Sequence, residues 1–203
     1  MNATLLAPRR LRKEDLRNSF RSGVDELDTW FQKFAWENQR NNNAVTYVAC
    51  ADKRVVGYCA LAAGGVSKAS VDEHFAMRHP SDIPCILLAR LAVDERATGQ
   101  GIGMVMLQDA LRRALAASKP LGAACVLIHC RDAAAKSFYM HHVDALASPA
   151  DPLQLVVPMK RIEALLVEQG RGWRIEPGAD SISLCLAIST KQRKRVPHAS
   201  TLL

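Results

Sequence analysis

The stretch Leu87-Leu-Ala-Arg-Leu-Ala-Val-Asp94, followed by Glu95-Arg-Ala-Thr-Gly-Gln-Gly-Ile-Gly103, decides the fold of this chain. Its first half is a short apolar run that ends in charged residues, which predicts a buried strand. Its second half puts glycines at alternate positions just before an amphipathic segment that predicts a helix. Glycines permit a sharp turn and a close backbone approach, and a helix start adds unpaired N–H groups and a positive dipole end. Strand, loop and helix together predict a phosphate cradle.

The spacing of the glycines excludes two common phosphate loops. A Walker A loop ends in Gly-Lys-Ser/Thr, whereas Gly103 is followed by Met104. A Rossmann fingerprint has its third glycine three residues after the second, whereas Gly103 comes two after Gly101. Taken alone, the glycines could also form an ordinary left-handed turn at the start of a helix.

Composition predicts a globular protein with one compact domain, with or without an appendage. The chain has 203 residues, of which 49% are hydrophobic and 23% charged. No run approaches the ~18 apolar residues of a membrane span, and basic residues interrupt any signal-peptide core near the N-terminus. The cysteines form no Cys-x-x-Cys pair, so we expect reduced core thiols, no metal site and a cytoplasmic location. The net charge of +7 favours a polyanionic partner such as nucleic acid.

Periodicity places the other elements along the chain. The apolar positions Leu27, Trp30, Phe31, Phe34 and Ala35 predict one buried helix face, with Ser22 and Asp25 resembling a capping box. A hairpin is expected from strands 46–51 and 55–61, the second of which contains Gly57 and ends at Gly64-Gly65. After it we expect a short helix near 71–77, helices over 104–118 and 160–169, and strands over 123–129 and 153–159. In the tail we expect a strand at 181–188 and a basic run at 191–195.

The predicted helix over 104–118 links two predicted strands, which indicates parallel pairing through a right-handed crossover. Its inward stripe is predicted at Leu107, Leu111, Ala114 and Leu115. The outward side chains are expected to be Gln108, Asp109, Arg112 and Arg113, with Asp109 in reach of an arginine one turn on.

A second motif, Asp132-Ala-Ala-Ala-Lys-Ser-Phe-Tyr139, follows the second of these strands. Asp132 is a good N-cap for a helix through Tyr139. With Arg96-x-x-Gly99-x-Gly101 it resembles, in the right order and spacing, the paired motifs of the GNAT acetyltransferases. Where that family continues with Gly-Phe, this chain has Val143 and Asp144.

The resemblance implies an α/β GNAT fold, with a mixed central sheet flanked by helices. It covers roughly residues 16–166, and we expect an acetyltransferase domain over residues 1–166 with an atypical C-terminal extension over 167–203. It implies acetyl-CoA as co-substrate and Tyr139 as the acid that protonates the departing thiolate, a suitable role for a phenol with an ordinary pKa of about 10. The cofactor residues it implies are Leu91, Ala92, Val93, Arg96, Thr98, Gly99, Gln100, Gly101, Ile102, Gly103, Asp132, Ala135 and Phe138.

Within the family, Phe20-x-Ser-Gly-x-x-x-Leu-Asp28-x-Trp30, Val56-Gly-Tyr58 and Leu88-Ala-Arg-Leu-Ala-Val-Asp94 resemble the toxins of GNAT/ribbon-helix-helix toxin–antitoxin pairs. That resemblance implies acetylation of the α-amino group of aminoacyl-tRNA, arrest of translation, a homodimer and a ribbon-helix-helix antitoxin. Arg90 and Arg78 are the candidate contacts to the tRNA acceptor end.

The acceptor can be narrowed by chemistry. No histidine or carboxylate stands out in the sequence as a general base, and an α-amine titrates at about 7.7–8.0, against about 10.4 for lysine. An α-amine therefore needs the least help in losing its proton. The alternatives are a GNAT enzyme that acetylates a small amine, an antibiotic or a protein N-terminus, and an acyl-CoA-binding module without turnover.

Overall fold

A computed structural model describes residues 5–170. The predicted strand at 181–188 and the basic run at 191–195 lie outside the described residues. The last described helix runs to Gly170 and so passes the expected domain boundary at 166.

A seven-stranded mixed sheet with the order β1-β2-β3-β4-β5-β7-β6 forms the centre of the molecule, which confirms the predicted fold class. All neighbouring strands are antiparallel except β4 and β5. The strands are β1 (Arg9–Arg10), β2 (Val45–Ala51), β3 (Arg54–Ser67), β4 (Asp82–Val93), β5 (Cys125–His129), β6 (Leu146–Ala147) and β7 (Gln154–Pro158). The helices are α1 (Asp25–Thr29), α2 (Ala35–Arg40), α3 (Glu73–Ala76), α4 (Ile102–Leu121), α5 (Ala133–His142) and α6 (Met159–Gly170).

The parallel pair β4–β5 creates the opening that becomes the site. The two strands pair only from Cys85 opposite Cys125 to Leu88 opposite Ile128. Beyond Leu88, a register shift against β3 leaves Ala89 without an opposite residue, and β4 continues to Val93 away from β5. The strands therefore separate at their carboxyl ends, where α/β sheets bind ligands.

The β2–β3 hairpin is present, but β3 is longer than predicted. Its turn is made by Asp52 and Lys53, both with positive φ. Gly64 and Gly65 do not end the strand, because they pair with Cys85 and Pro84 of β4. Cross-strand hydrogen bonding outweighs the weak strand propensity of glycine here.

Gly57 lies beside a bulge, as its position inside the strand suggested. The register moves from Ala49 opposite Gly57 to Cys50 opposite Val55, which leaves Val56 unmatched. A Cβ on Gly57 would lie 2.9 Å from Ile102 Cγ2, so the glycine also lets α4 pack closely on β3.

The first helix differs from its prediction in two ways. Ser22 does not cap it: its N–H and hydroxyl both donate to Asp28 Oδ1, at 2.8 and 2.6 Å. Phe34 is 49% exposed, not buried. A π-helical turn at Trp30–Phe34 joins α1 to α2, and its wider spacing rotates Phe34 outward while Phe31 and Ala35 stay buried.

Helix α4 begins two residues earlier than predicted and ends at Gly122, which has φ +77°. The predicted Asp109–Arg113 contact is confirmed, with Nε donating to Oδ2 at 2.6 Å. Arg113 is only partly exposed, since its Cζ lies 3.9 Å from the centre of the Tyr47 ring. Gln108 is buried. The outward prediction was therefore wrong for Gln108 and holds only in part for Arg113.

The cysteines within residues 5–170 are free and buried, as expected of reduced core thiols: Cys50, Cys59, Cys85, Cys125 and Cys130. Within residues 5–170, no helix combines the length and apolar character needed to cross a bilayer.

Candidate active site

The cradle predicted from the glycines is present between β4 and α4. Gly99 and Gly101 have φ +80° and +77°, a left-handed conformation that favours glycine. A Cβ built on either residue would meet nothing within 4 Å, so the loop surface is open above them. Gly101 is the N-cap of α4 and provides no side-chain cap, so the N–H groups of the first turn are available to an anion.

Gly103 has a different role from the other two glycines. It lies in the first turn of α4, where a Cβ would be 3.5 Å from Phe138 Cζ and 3.6 Å from Val93 Cγ2. These are ordinary contacts. Gly103 therefore packs α4 against α5, and only Gly99 and Gly101 shape the loop.

Asp94, which the sequence did not single out, holds the cradle to the N-terminal segment. Its fully buried carboxylate accepts from Arg96 Nε and Nη2 at 2.7 and 2.6 Å, and from the N–H groups of Arg96 and Arg21 at 3.1 and 3.2 Å. Burial disfavours the charge, but the hydrogen bonds from Arg96 and from Arg21 outweigh it, and the pKa of Asp94 lies below its ordinary value.

The Arg96 side chain is thus engaged within the protein. Besides its two bonds to Asp94, Nη2 donates to the Ser19 carbonyl at 2.7 Å. The structure places the guanidinium as a link between the end of β4 and residues 19–21, while the loop that follows it faces the open side of the cradle.

A cleft of about 240 Å³ lies where β4 and β5 separate. One wall is β4 from Leu88 to Val93, and the opposite wall carries His129, Arg131, Ala135 and Tyr139. The Tyr139 side chain is mostly buried, and burial, with Cys130 and Cys59 acting in the same direction, raises the pKa of its phenol above the ordinary value. The phenol therefore keeps its proton at neutral pH and can donate it.

Comparison with known proteins identifies this arrangement. Residues 42–142 match the acetyltransferase (GNAT) domain family. Over 160 residues the chain is 39% identical to the tRNA-acetylating toxin of Mycobacterium tuberculosis, across 79% of this chain and 96% of that protein. The chain belongs to the GNAT acetyltransferase family.

Solved structures share the GNAT fold with this chain. AtaT complexed with acetyl-methionyl-tRNAfMet has a TM-score of 0.72 and 24% identity, over 79% of this chain and 99% of AtaT. A mutant AtaT bound to the C-terminus of the antitoxin AtaR and to acetyl-CoA has a TM-score of 0.67 and 23% identity, over 80% and 98% of the two chains.

This GNAT acetyltransferase uses acetyl-CoA as its donor. The residues present fit that molecule. The open loop at Gly99 and Gly101 and the uncapped start of α4 suit a pyrophosphate, and the cleft that continues from them along β4 suits the pantetheine arm.

Helix α5 closes the other side of the cleft in the manner that its motif predicts. Asp132 Oδ1 accepts from the Ala135 N–H at 2.8 Å, which confirms it as the N-cap. Ala135 and Tyr139, one turn apart, both line the cleft, whereas Phe138 packs against Gly103. The GNAT departure at Val143 creates no strain, because Val143 has φ −138° and is buried in the core, where glycine is not required.

The two arginines proposed for tRNA contacts lie in different places. Arg90 lines the cleft, with its Cζ 5.0 Å from the centre of the Trp30 ring and Nη2 3.6 Å from Glu26 Oε1. Arg78 is exposed in the connection that precedes β4 and is not among the described residues that line the cleft. The structure brings Arg90, but not Arg78, to the cleft.

His129 and Arg131 are cleft residues that the sequence analysis missed. They lie at the end of β5 and just after it, opposite the free part of β4. A residue that ends a parallel strand at the topological switch point is a position at which ligand contacts are expected, and that signal was available in the sequence.

Gly101→Ala and Gly103→Ala should separate the roles of the two glycines. An alanine at φ +77° is strained by about 1–2 kcal/mol, so we expect Gly101→Ala to lower the unfolding free energy and to weaken acetyl-CoA binding. At Gly103 alanine meets only ordinary contacts and has the better helix propensity, so stability should stay within about 1 kcal/mol of the parent. Thermal unfolding and titration calorimetry measure both effects, and equal losses of stability would contradict this assignment.

Proposed function

We propose that this enzyme acetylates the α-amino group of aminoacyl-tRNA and so acts as a toxin that blocks translation. The observation that carries the proposal is the 39% identity to the tRNA-acetylating toxin of Mycobacterium tuberculosis, which extends over 96% of that protein. The net charge of +7 and the solved complex of AtaT with acetyl-methionyl-tRNAfMet support it.

The donor is held by backbone groups. In this proposal the amides of Gly99, Gln100, Gly101, Ile102 and Gly103 surround the pyrophosphate, with Thr98 at the start of the loop. The edge of β4 at Leu91, Ala92 and Val93 binds the pantetheine arm and the acetyl carbonyl. Arg96 contributes through Asp94 by fixing the loop, and Asp132, Ala135 and Phe138 hold α5 against the cleft.

Tyr139 is proposed as the general acid. When the amine nitrogen bonds to the acetyl carbon, the carbon–sulfur bond breaks and the thiolate takes a proton from the Tyr139 hydroxyl. The amine releases its own proton to solvent, and the Tyr139 phenolate takes a proton from solvent before the next turnover. Burial favours the neutral phenol, which is the form that this step requires.

The acceptor amine is proposed to enter beside Arg90. An α-amine is partly neutral near pH 7.5, so the enzyme can rely on positioning rather than on a strong base. The side chains of Val24 and Leu27 line the same part of the cleft and give the aminoacyl group an apolar wall.

The proposal also includes two protein partners, an antitoxin and a second copy of this chain. AtaT has been solved bound to the C-terminus of the antitoxin AtaR, and we infer a ribbon-helix-helix antitoxin for this chain too. We also infer a homodimer and, because charged tRNA is cytoplasmic, a cytoplasmic location.

The decisive experiment offers labelled acetyl-CoA with charged tRNA, uncharged tRNA, free amino acids and polyamines in parallel. We expect label on charged tRNA alone, recovered as an N-acetyl amino acid after mild alkaline release. Label on free amino acids or polyamines but not on charged tRNA would overturn the proposal.

A further inference from the structure

A second concavity lies away from the acetyl-transfer cleft and is strongly basic. We call it the basic groove; its volume is about 470 Å³. Its lining includes Arg10, Arg12, Lys13 and Arg40, against the single carboxylate of Glu14, and the ring of Trp36. Nothing in the acetyl-transfer chemistry uses these side chains.

The backbone that carries these cations is fixed. Leu11 is buried between them, and Gln39 Nε2 donates to its carbonyl at 2.8 Å while Gln39 Oε1 accepts from the Thr46 N–H at 3.1 Å. Asp15 Oδ2 accepts from the Arg12 N–H at 2.7 Å. The segment that precedes α1 is therefore attached both to α2 and to the edge of the sheet.

The charges themselves remain largely available. The Asp15 carboxylate forms a salt bridge with Arg9, which does not line the groove; Arg9 Nη2 lies 2.6 Å from Asp15 Oδ1. In the described part of the chain Arg40 pairs with Glu37 alone, at 3.8 Å with both side chains 64% exposed, and such pairs contribute little. The groove therefore presents a positive field to a partner rather than a neutralised surface.

The groove and the cleft lie at the two ends of one continuous helical segment. Leu27 at its start lines the cleft, and Trp36 and Arg40 at its end line the groove. Ten residues separate Trp30, which contacts Arg90, from Arg40, which corresponds to about 15 Å at the rise of a helix. An RNA whose 3′ end enters the cleft can reach the groove with its next nucleotides and the start of its acceptor stem.

We propose that the basic groove binds the phosphodiester backbone of the tRNA whose aminoacyl end occupies the cleft. This inference rests on the proposed function. RNA fits better than an acidic peptide because an aromatic ring lines the groove together with the cations, and cations with a stacking surface are typical of sites that follow a nucleic-acid strand. The groove supplies affinity for tRNA, while the cleft supplies the chemistry.

The proposal is tested with a double variant of the groove, Arg12→Gln with Arg40→Gln. Its matched control is a second double variant, Lys119→Gln with Lys160→Gln. Both variants remove two exposed positive charges, and each loses one weak surface ion pair, since Lys119 Nζ lies 3.7 Å from Glu163 Oε1. Lys119 and Lys160 belong to α4 and α6, away from the groove. Titration calorimetry with acetyl-CoA and thermal unfolding verify that both variants keep the donor site and the fold.

The groove variant should show a KM for charged tRNA raised about tenfold, with kcat little changed. The slope of log affinity against log salt concentration should fall by about one for each phosphate contact removed. The control variant should have the same KM for charged tRNA and the same salt slope as the parent. Lys13→Gln alone, which touches no ion pair, should give a smaller shift in the same direction and replaces the double variant if that variant fails to fold.

Two results would overturn the proposal. Unchanged KM and salt slope in the groove variant, with tRNA still acetylated, would leave the groove without a role in RNA binding. Normal tRNA acetylation with loss of inhibition by the antitoxin would assign the groove to an acidic protein segment instead. Failure of the proposed function is distinguishable from both, because the parent enzyme would then place no label on tRNA.

Discussion

Tyr139→Phe is expected to lower kcat for acetyl transfer by about 10²–10⁴-fold while acetyl-CoA still binds with near-parental affinity. The ring stays in place, because Tyr139 is only 8% exposed and phenylalanine fills the same space. What is lost is the hydroxyl of a residue that lines the cleft, the group that we propose as the acid for the departing thiolate. Single-turnover kinetics with charged tRNA, together with calorimetry of acetyl-CoA binding, separate the chemical step from donor binding.

Tyr47→Phe is the matched control for this experiment. Tyr47 lies on β2 with its ring under the Arg113 guanidinium, and it does not line the cleft. Its variant should retain parental turnover. Because burial raises the pKa of Tyr139, its ionisation should not limit activity at any pH below about 10. Parental turnover in Tyr139→Phe would remove the acid role from this residue.

Asp94→Ala is expected to lower the unfolding free energy by about 3 kcal/mol, the second large effect. The substitution leaves the guanidinium and N–H of Arg96 and the N–H of Arg21 without their shared acceptor. It also releases the N-terminal segment that carries Ser22 and Val24 to the cleft, so acetyl-CoA affinity should fall as well. Denaturant unfolding measures the first effect and calorimetry the second.

Asp144→Ala is the comparison for this substitution, because it removes an exposed carboxylate 2.7 Å from Arg161. It should cost less than about 1 kcal/mol. The folded-state pKa of Asp94 is lowered, so its contribution is present above about pH 4 and is lost as pH falls through that folded pKa. The stability difference between parent and Asp94→Ala should accordingly narrow on acidification. Equal losses of unfolding free energy in the two aspartate variants would contradict the proposal that Asp94 joins the loop to the N-terminal segment.

Local patterns were sufficient for much of the site. The glycine spacing predicted the loop, although the structure shows that Gly99 and Gly101 shape it and Gly103 does not, and Asp132 predicted the start of α5. These features depend on backbone conformation and capping within a few residues of chain. For the same reason, the strand–helix–strand order predicted the parallel pair whose ends form the cleft.

Other predictions failed because distant parts of the chain decide them. The π turn at Trp30–Phe34 exposed a residue that a regular helix would bury. The pattern of α4 predicted Arg113 as a surface cation, yet its guanidinium packs over the Tyr47 ring. Ser22 bonds to Asp28 rather than capping the helix. Each outcome depends on which surfaces meet after folding, and periodicity along one segment carries no information about that.

The sequence by itself determined that a glycine loop and the start of a helix would follow β4, with Tyr139 on the next helix. Only the tertiary structure decided that Asp94 would join this loop to residues 19–21 and that cations from two distant segments would form one groove. The reason is physical: turn and helix formation are set by neighbouring residues, whereas the position of a carboxylate or a guanidinium is set by the partners that folding brings to it.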